Sequence, residues 1–210
     1  MRIAVFGSTG ITGQLLVKQA LEAGYEVVAF ARNPAKLAIK SERLTIVQGS
    51  LTDIEAIEQT VCGAEAVISL LGPTGNVKGT PLSTGTKQIL SAMKKHGVRR
   101  IIAVSTASAG DPNDRFDFKF QLLVTLIKLG MRGAYKEIVT MADAIRTSEL
   151  DWTLVRVPFL TNKPGTGKVR VGYYGHGIIR ARLSRADLAR FMLEQLQDPT
   201  YIQKAPAISN

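Results

Sequence analysis

Hydrophobic and polar positions alternate along this chain in two rhythms. Residues 3–6 form an unbroken apolar run that ends at glycine, and Leu15, Leu16, Ala20 and Leu21 then recur at the spacing of one helix face. The same exchange of short run and helical stripe repeats. Strands are expected at 26–31, 44–47, 66–71, 100–105 and 152–157. Pro34 opens a short helix, Asp53 caps a helix that carries Ile54 and Ile57, and a glycine-containing loop leads to a helix over 83–96 closed by Gly97. A long helical region follows the fifth strand, interrupted near Gly130 and Gly133, and Ser184 caps a last helix with Leu188, Phe191, Met192 and Leu196. Apolar strands alternating with amphipathic helices imply parallel pairing through right-handed crossovers, with helices on both faces of the sheet. The expectation is an α/β, Rossmann-type doubly wound fold: one domain over 1–210, with no internal repeat or linker.

Composition narrows the chemistry. A single cysteine, Cys62, forbids an intramolecular disulfide and points to a reducing, cytoplasmic setting. His96 and His176 lack metal-ligand spacing, so no metal site is expected. No secretory leader is read at the start, and no apolar stretch reaches the span of a bilayer, so neither signal nor membrane partner is expected. Net charge is +10, shared evenly as +5 in residues 1–105 and +5 in 106–210. A distributed excess attracts anions without marking nucleic acid as a partner.

The first turn carries the strongest signal. Gly7-Ser8-Thr9-Gly10-Ile11-Thr12-Gly13 joins the first strand to the first helix in a G-x-x-G-x-x-G spacing. Gly7 allows the sharp exit, Gly10 lets a diphosphate approach the backbone, and Gly13 lets the helix close on the sheet. The free amides of Ile11, Thr12 and their neighbours, with Thr9, face the anion. In NAD-binding domains an acid at the end of the second strand bonds the ribose 2′-hydroxyl. Here that place reads Phe30-Ala31-Arg32-Asn33-Pro34. Arg32, with Asn33 as a second donor, suits a 2′-phosphate, which favours NADP(H) over NAD(H). Ligands in such sheets bind beyond the carboxyl ends of the strands. Ser50 and Leu51 are therefore expected at the adenine, and Leu70, Leu71 and Gly72 along the ribose and diphosphate. Ser105, Thr106, Pro158, Phe159 and Leu160 complete the cofactor cleft.

On these residues the chain resembles an atypical short-chain dehydrogenase/reductase of the NAD(P)H-binding group that includes NmrA-like proteins and the biliverdin-IXβ/flavin reductases. Further markers are Val67-Ile68-Ser69-Leu70-Leu71-Gly72, Ala92-Met93-Lys94-Lys95-His96-Gly97-Val98, Leu150-Asp151-Trp152-Thr153-Leu154-Val155-Arg156 and Ser184-Arg185-Ala186-Asp187-Leu188-Ala189. The resemblance implies a small C-terminal extension, about 158–210, that shapes a substrate pocket and includes Gly172-Tyr173-Tyr174-Gly175. It implies hydride transfer from NADPH to a small planar acceptor such as a flavin or quinone, with Ser105 and Thr106 beside the reacting ring. The superfamily's Tyr-x-x-x-Lys pair is not met: Tyr135 is the nearest candidate catalytic tyrosine, but Val139 stands four residues on and Lys136 adjoins it. The resemblance implies a branch that can carry a histidine in the substrate pocket, whereas Phe159 stands after Pro158 here, which speaks against biliverdin itself. The alternative is an NmrA-like sensor of the NADP⁺/NADPH ratio without turnover; either protein is expected as monomer or homodimer.

Other patterns carry less. There is no G-x-S-x-G elbow for a hydrolase triad. Pro164-Gly165-Thr166-Gly167-Lys168 has Val169 where a phosphate loop needs Ser or Thr, and reads as a turn. Lys94, Lys95, Arg99 and Arg100 read as a solvated helix end. The stretch 122–129 is more apolar than a surface helix needs, which suits cleft lining, a lid, a subunit contact or simple packing.

Overall fold

The computed structural model describes residues 1–73 and 79–210; the rest of the glycine-containing loop at 74–78, and the side chains of Lys119, Phe120 and Leu123, lie outside that description. The strands are β1 (Arg2–Phe6), β2 (Glu26–Ala31), β3 (Leu44–Gln48), β4 (Ala66–Ser69), β5 (Arg100–Thr106), β6 (Asp151–Val157), β7 (Phe159–Thr161), β8 (Arg170–Gly172), β9 (Arg182–Ser184) and β10 (Ala207–Ser209). The helices are α1 (Ile11–Glu22), α2 (Ile54–Val61), α3 (Pro81–Lys95), α4 (Phe118–Gly130), α5 (Arg132–Arg146) and α6 (Arg185–Glu194). Eight strands form one sheet in the order β3-β2-β1-β4-β5-β6-β10-β8, parallel except for β8, and β7 pairs in parallel with β9 apart from it. Strand order reverses between β1 and β4, which is where such sheets open a ligand crevice.

The unbroken apolar runs are explained by burial on both faces. Ala4 and Phe6 of β1 pack with α2, α3 and α5, whereas Ile3 and Val5 face α1 and α6. Phe6 and Phe30, from adjacent strands, meet with ring centroids 5.1 Å apart. Both layers are needed to cover a parallel sheet.

Several expectations are corrected. The fourth strand ends at Ser69, so Leu70 and Leu71 lie beyond the ladder, although the Leu70 N–H still donates to the Phe6 carbonyl at 2.8 Å. The helical region breaks once, at the α4–α5 junction, and Gly133 falls inside α5. Leu196 lies beyond α6, which ends at Glu194. Four strands, β7 to β10, were not expected; at three residues each they are too short to show a period.

Candidate functional site

The β1–α1 turn is built around glycine. Gly7 has φ +83°, and a Cβ there would stand 2.9 Å from the Leu70 carbonyl carbon. A Cβ on Gly13 would fall on the Gly7 carbonyl oxygen, so the third glycine is what lets α1 reach the sheet. Gly10 is different: its Cβ would meet only the Gly7 carbonyl oxygen at 3.5 Å, an ordinary contact. The fold tolerates a side chain there, at the residue directly before α1. That start has no side-chain cap and no acid in its first turn. Its amides are unsatisfied within the helix and attract an anion. The residues present therefore fit a diphosphate.

The neighbouring strand ends extend the site. Arg32 follows β2 directly, is exposed, and forms no ion pair among the described residues. Asn33 uses its Oδ1 to accept from the Ala35 N–H at 3.1 Å, capping the turn at Pro34–Lys36, and keeps its amide nitrogen as a donor. Ser50 is exposed and its hydroxyl pairs with Thr52 at 2.7 Å, while Leu51 packs against the core below α3.

Beyond β4, β5 and β6 a cavity of about 330 Å³ opens. Thr12, Leu70, Leu71, Gly72, Ser105, Thr106 and Leu160 line it, all anticipated from the sequence. The Thr106 Oγ1 accepts from the Ser108 N–H at 3.2 Å, so its hydroxyl hydrogen stays available to a ligand. Pro158 is half-buried and Phe159 exposed, and neither lines the cavity. Sequence reasoning missed the far wall. Ile138, Met141, Ala142 and Ile145 come from one face of α5, and Arg185 and Leu188 from α6. The i, i+3, i+4, i+7 spacing of the α5 residues is a legible amphipathic stripe, but nothing in it tells core from cavity.

Arg185 brings the one charge among the described lining residues. Its Nη1 donates to the Asn162 Oδ1 at 2.8 Å, and no carboxylate pairs with it among the described residues. An uncapped helix end and an uncompensated guanidinium thus border one mostly apolar cavity, which gives it a positive potential.

Tyr135 does not join Ser105 and Thr106. It stands at the α4–α5 corner with Leu129 and Arg132, the Lys128 ammonium 5.7 Å from its ring centroid. Two residues on, Glu137 is buried and turned to α3. Its Oε2 accepts from the Leu82 and Ser83 N–H groups at 2.7 and 3.0 Å, and its Oε1 from the Ser83 hydroxyl at 2.9 Å. Here α5 caps a helix instead of presenting an acid–base pair. Glu137→Ala should destabilise the protein by about 2–4 kcal/mol, read as a lower thermal midpoint, because it strands the N-terminal amides of α3.

The C-terminal extension supplies Leu160, Arg185 and Leu188 to the cavity, but Gly172-Tyr173-Tyr174-Gly175 supplies nothing to its described wall. Those residues hold a clamp instead. Arg156 of β6 is fully buried; it donates through Nε to the Ala205 carbonyl at 2.7 Å and forks both terminal nitrogens onto Asp114. Asp114 Oδ1 also accepts from the Tyr174 N–H at 3.0 Å, and the Arg156 guanidinium lies 5.1 Å from the Tyr174 ring. Burial pushes the Tyr174 phenol up to about 12. It works to raise Asp114 as well, but the Arg156 hydrogen bonds and charge, with two backbone amides, outweigh it and hold that carboxyl below its ordinary value.

The turn at 164–168 is also closed internally. Thr166 and Gly167 donate their N–H groups to the two carboxylate oxygens of buried Asp187 at 2.8 and 3.0 Å. A loop that resembles a phosphate cradle thus holds a carboxylate of the protein itself.

With this geometry in place, comparison with known proteins is informative. A family model described as NAD(P)H-binding matches residues 7–199. The yeast UPF0659 protein YMR090W of Saccharomyces cerevisiae is 26% identical over 213 residues, covering 95% of this chain and 88% of that protein. A (4-alkanoyl-5-oxo-2,5-dihydrofuran-3-yl)methyl phosphate reductase of Streptomyces griseus is 27% identical over 188 residues; the match covers 89% of this chain and 57% of that protein. Among solved structures, a short-chain dehydrogenase/reductase of Veillonella parvula in complex with NADP superposes with a TM-score of 0.83 at 20% identity, covering 100% of this chain and 94% of that one. ChuY, an anaerobilin reductase of Escherichia coli O157:H7, gives 0.80 at 21%, covering 100% and 97%. The two superpositions speak for the fold. The family match spans the glycine turn, the strand ends and α6 together, and the chain belongs to the NAD(P)H-binding family.

Proposed function

We propose that this chain is an NADPH-dependent reductase that delivers a hydride to a flavin, a quinone or a similar flat acceptor. The observation that carries the reading is the cavity beyond β4, β5 and β6: apolar walls continuous with the glycine turn, with the Ser105 and Thr106 side chains on one side. Bound NADPH would supply the hydride. The amides at the start of α1 would hold its diphosphate, Arg32 its 2′-phosphate, and Leu70 and Leu71 would keep water from the ring. Arg185 faces the same anionic stretch from α6. No Tyr, His, Lys, Asp or Glu lines the cavity among the described residues, which suits acceptors that are protonated from solvent after reduction. The relatives named as reductases support the class of reaction. The absence of a cavity acid or base equally suits an NADP(H) sensor without turnover, so the two readings part at catalysis. NADPH oxidation measured with FMN, FAD and a set of quinones should show turnover with at least one of them. Tight binding of NADPH and NADP⁺ with no oxidation across the panel would select the sensor.

A further inference from the structure

Two of the chain's acid-free stretches carry an excess of bases. Residues 118–136 hold four bases, Lys119, Lys128, Arg132 and Lys136, and no Asp or Glu; residues 152–186 hold seven bases and no acid. Of those seven, only Arg156 is matched by a carboxylate among the described residues, whereas Lys163, Lys168, Arg170, Arg180 and Arg182 are exposed. The segment that leads into α4 packs on the second stretch: the Arg115 N–H donates to the Tyr174 carbonyl at 3.0 Å, and the His176 ring nitrogen sits 3.0 Å from the Asn113 carbonyl. Asp114 of that segment is already taken by Arg156.

Large apolar side chains stand among these bases. Phe116, Phe118 and Phe159 are 79%, 70% and 62% exposed, and Leu122, Leu126 and Leu129 are about half exposed or more. On α4, Phe118, Leu122, Leu126 and Leu129 fall within an arc of roughly 80° at about 100° per residue. Val124 and Ile127, on the opposite side, are half-buried, so the helix is apolar on both its inner and its outer face. The outer stripe is uncovered, and no α4 side chain lines the cavity among the described residues. A helix of this pattern calls for a second apolar surface.

We propose that this face docks on an anionic lipid bilayer, with α4 lying in the plane of the headgroups, its Phe118-Leu122-Leu126 stripe at the acyl boundary and the surrounding lysines and arginines on lipid phosphates. Charge selects this occupant. A second copy would set the same excess of bases against itself, and one stripe about 20 Å long covers roughly 300–400 Å² per subunit, well short of a stable dimer. A nucleic acid would satisfy the bases and leave the leucines unmet, whereas an anionic bilayer satisfies both. Among the described residues no helix is long and apolar enough to cross a membrane, and none is needed: this mode of attachment lies on the surface. The proposal is independent of the cofactor reading.

Flotation of the full chain with vesicles of phosphatidylcholine, alone or with about 30% phosphatidylglycerol, tests it. Binding to the anionic vesicles should exceed binding to the neutral ones by at least about tenfold and collapse at high salt. The exposed double substitution Leu122→Ser/Leu126→Ser should lower it by about tenfold with an unchanged thermal midpoint. Failure to float with anionic vesicles, or binding untouched by the double substitution, overturns the proposal. So does a wild-type dimer that the same substitution dissociates, or tighter binding to duplex DNA than to the vesicles.

Discussion

Arg32→Ala is expected to weaken NADPH binding by about 30- to 100-fold while changing NADH affinity less than about threefold, measured by titration calorimetry. The magnitude is that of a charge-assisted contact to a phosphate. The asymmetry follows because the two dinucleotides differ only in the 2′-phosphate, and because Arg32 forms no ion pair among the described residues that its removal would disturb. Arg185→Ala should behave differently. Arg185 lines the same cavity as Thr12, which stands at the start of α1, where the shared diphosphate would lie. Both cofactors should lose about tenfold together. Equal losses for Arg32→Ala would remove the 2′-phosphate assignment; a selective loss for Arg185→Ala would move that arginine to the adenosine end.

The second large effect lies in the clamp behind the cavity. Asp114→Ala leaves the fully buried Arg156 guanidinium without its carboxylate, and a loss of about 3–5 kcal/mol of stability is expected, read by urea or thermal unfolding. The double variant Asp114→Ala/Arg156→Met should recover part of it, because no buried charge is then unpaired. The same pair sets an acid limit. The Asp114 carboxyl is held below its unfolded value, so the pair's contribution is complete above the unfolded pKa of about 4 and disappears as pH falls through the folded one. Wild type should therefore lose stability in that window, and Asp114→Ala should show a shallower loss. Because the clamp ties the loop after Thr106 to Tyr174, the variant should also lose activity in proportion to loosening of that loop.

How much of this could be read from residues alone differs from element to element. All six long strands and the glycine turn are legible because each has a local cause: a parallel strand buried on both faces must be apolar throughout, and the sharp exit at Gly7 needs positive φ. The end of the fourth strand was overrun by two residues because Leu70 and Leu71 continue its apolar run while serving the cavity. β8 and β10 have no local signature; their three residues pair because the chain between β6 and its end returns to the sheet edge. The cavity's far wall was hidden for a related reason. Ile138 and Met141 on α5 face a ligand space, and their apolar stripe is the same one a packed helix would show. Arg156 and Asp187 are charged residues in family-like segments and Glu137 stands two residues after the candidate Tyr135, yet each is spent inside the protein. Only tertiary structure shows that the Thr166-Gly167 turn has already taken Asp187 as its anion.

The crystal structure of the complex with NADPH tests the central claim most directly. The diphosphate is expected against the amides of residues 10–13, the 2′-phosphate within hydrogen-bond reach of Arg32, and the nicotinamide between Leu71 and Thr106. Dinucleotide bound at any other place, or a crevice left empty at saturating NADPH, would contradict it.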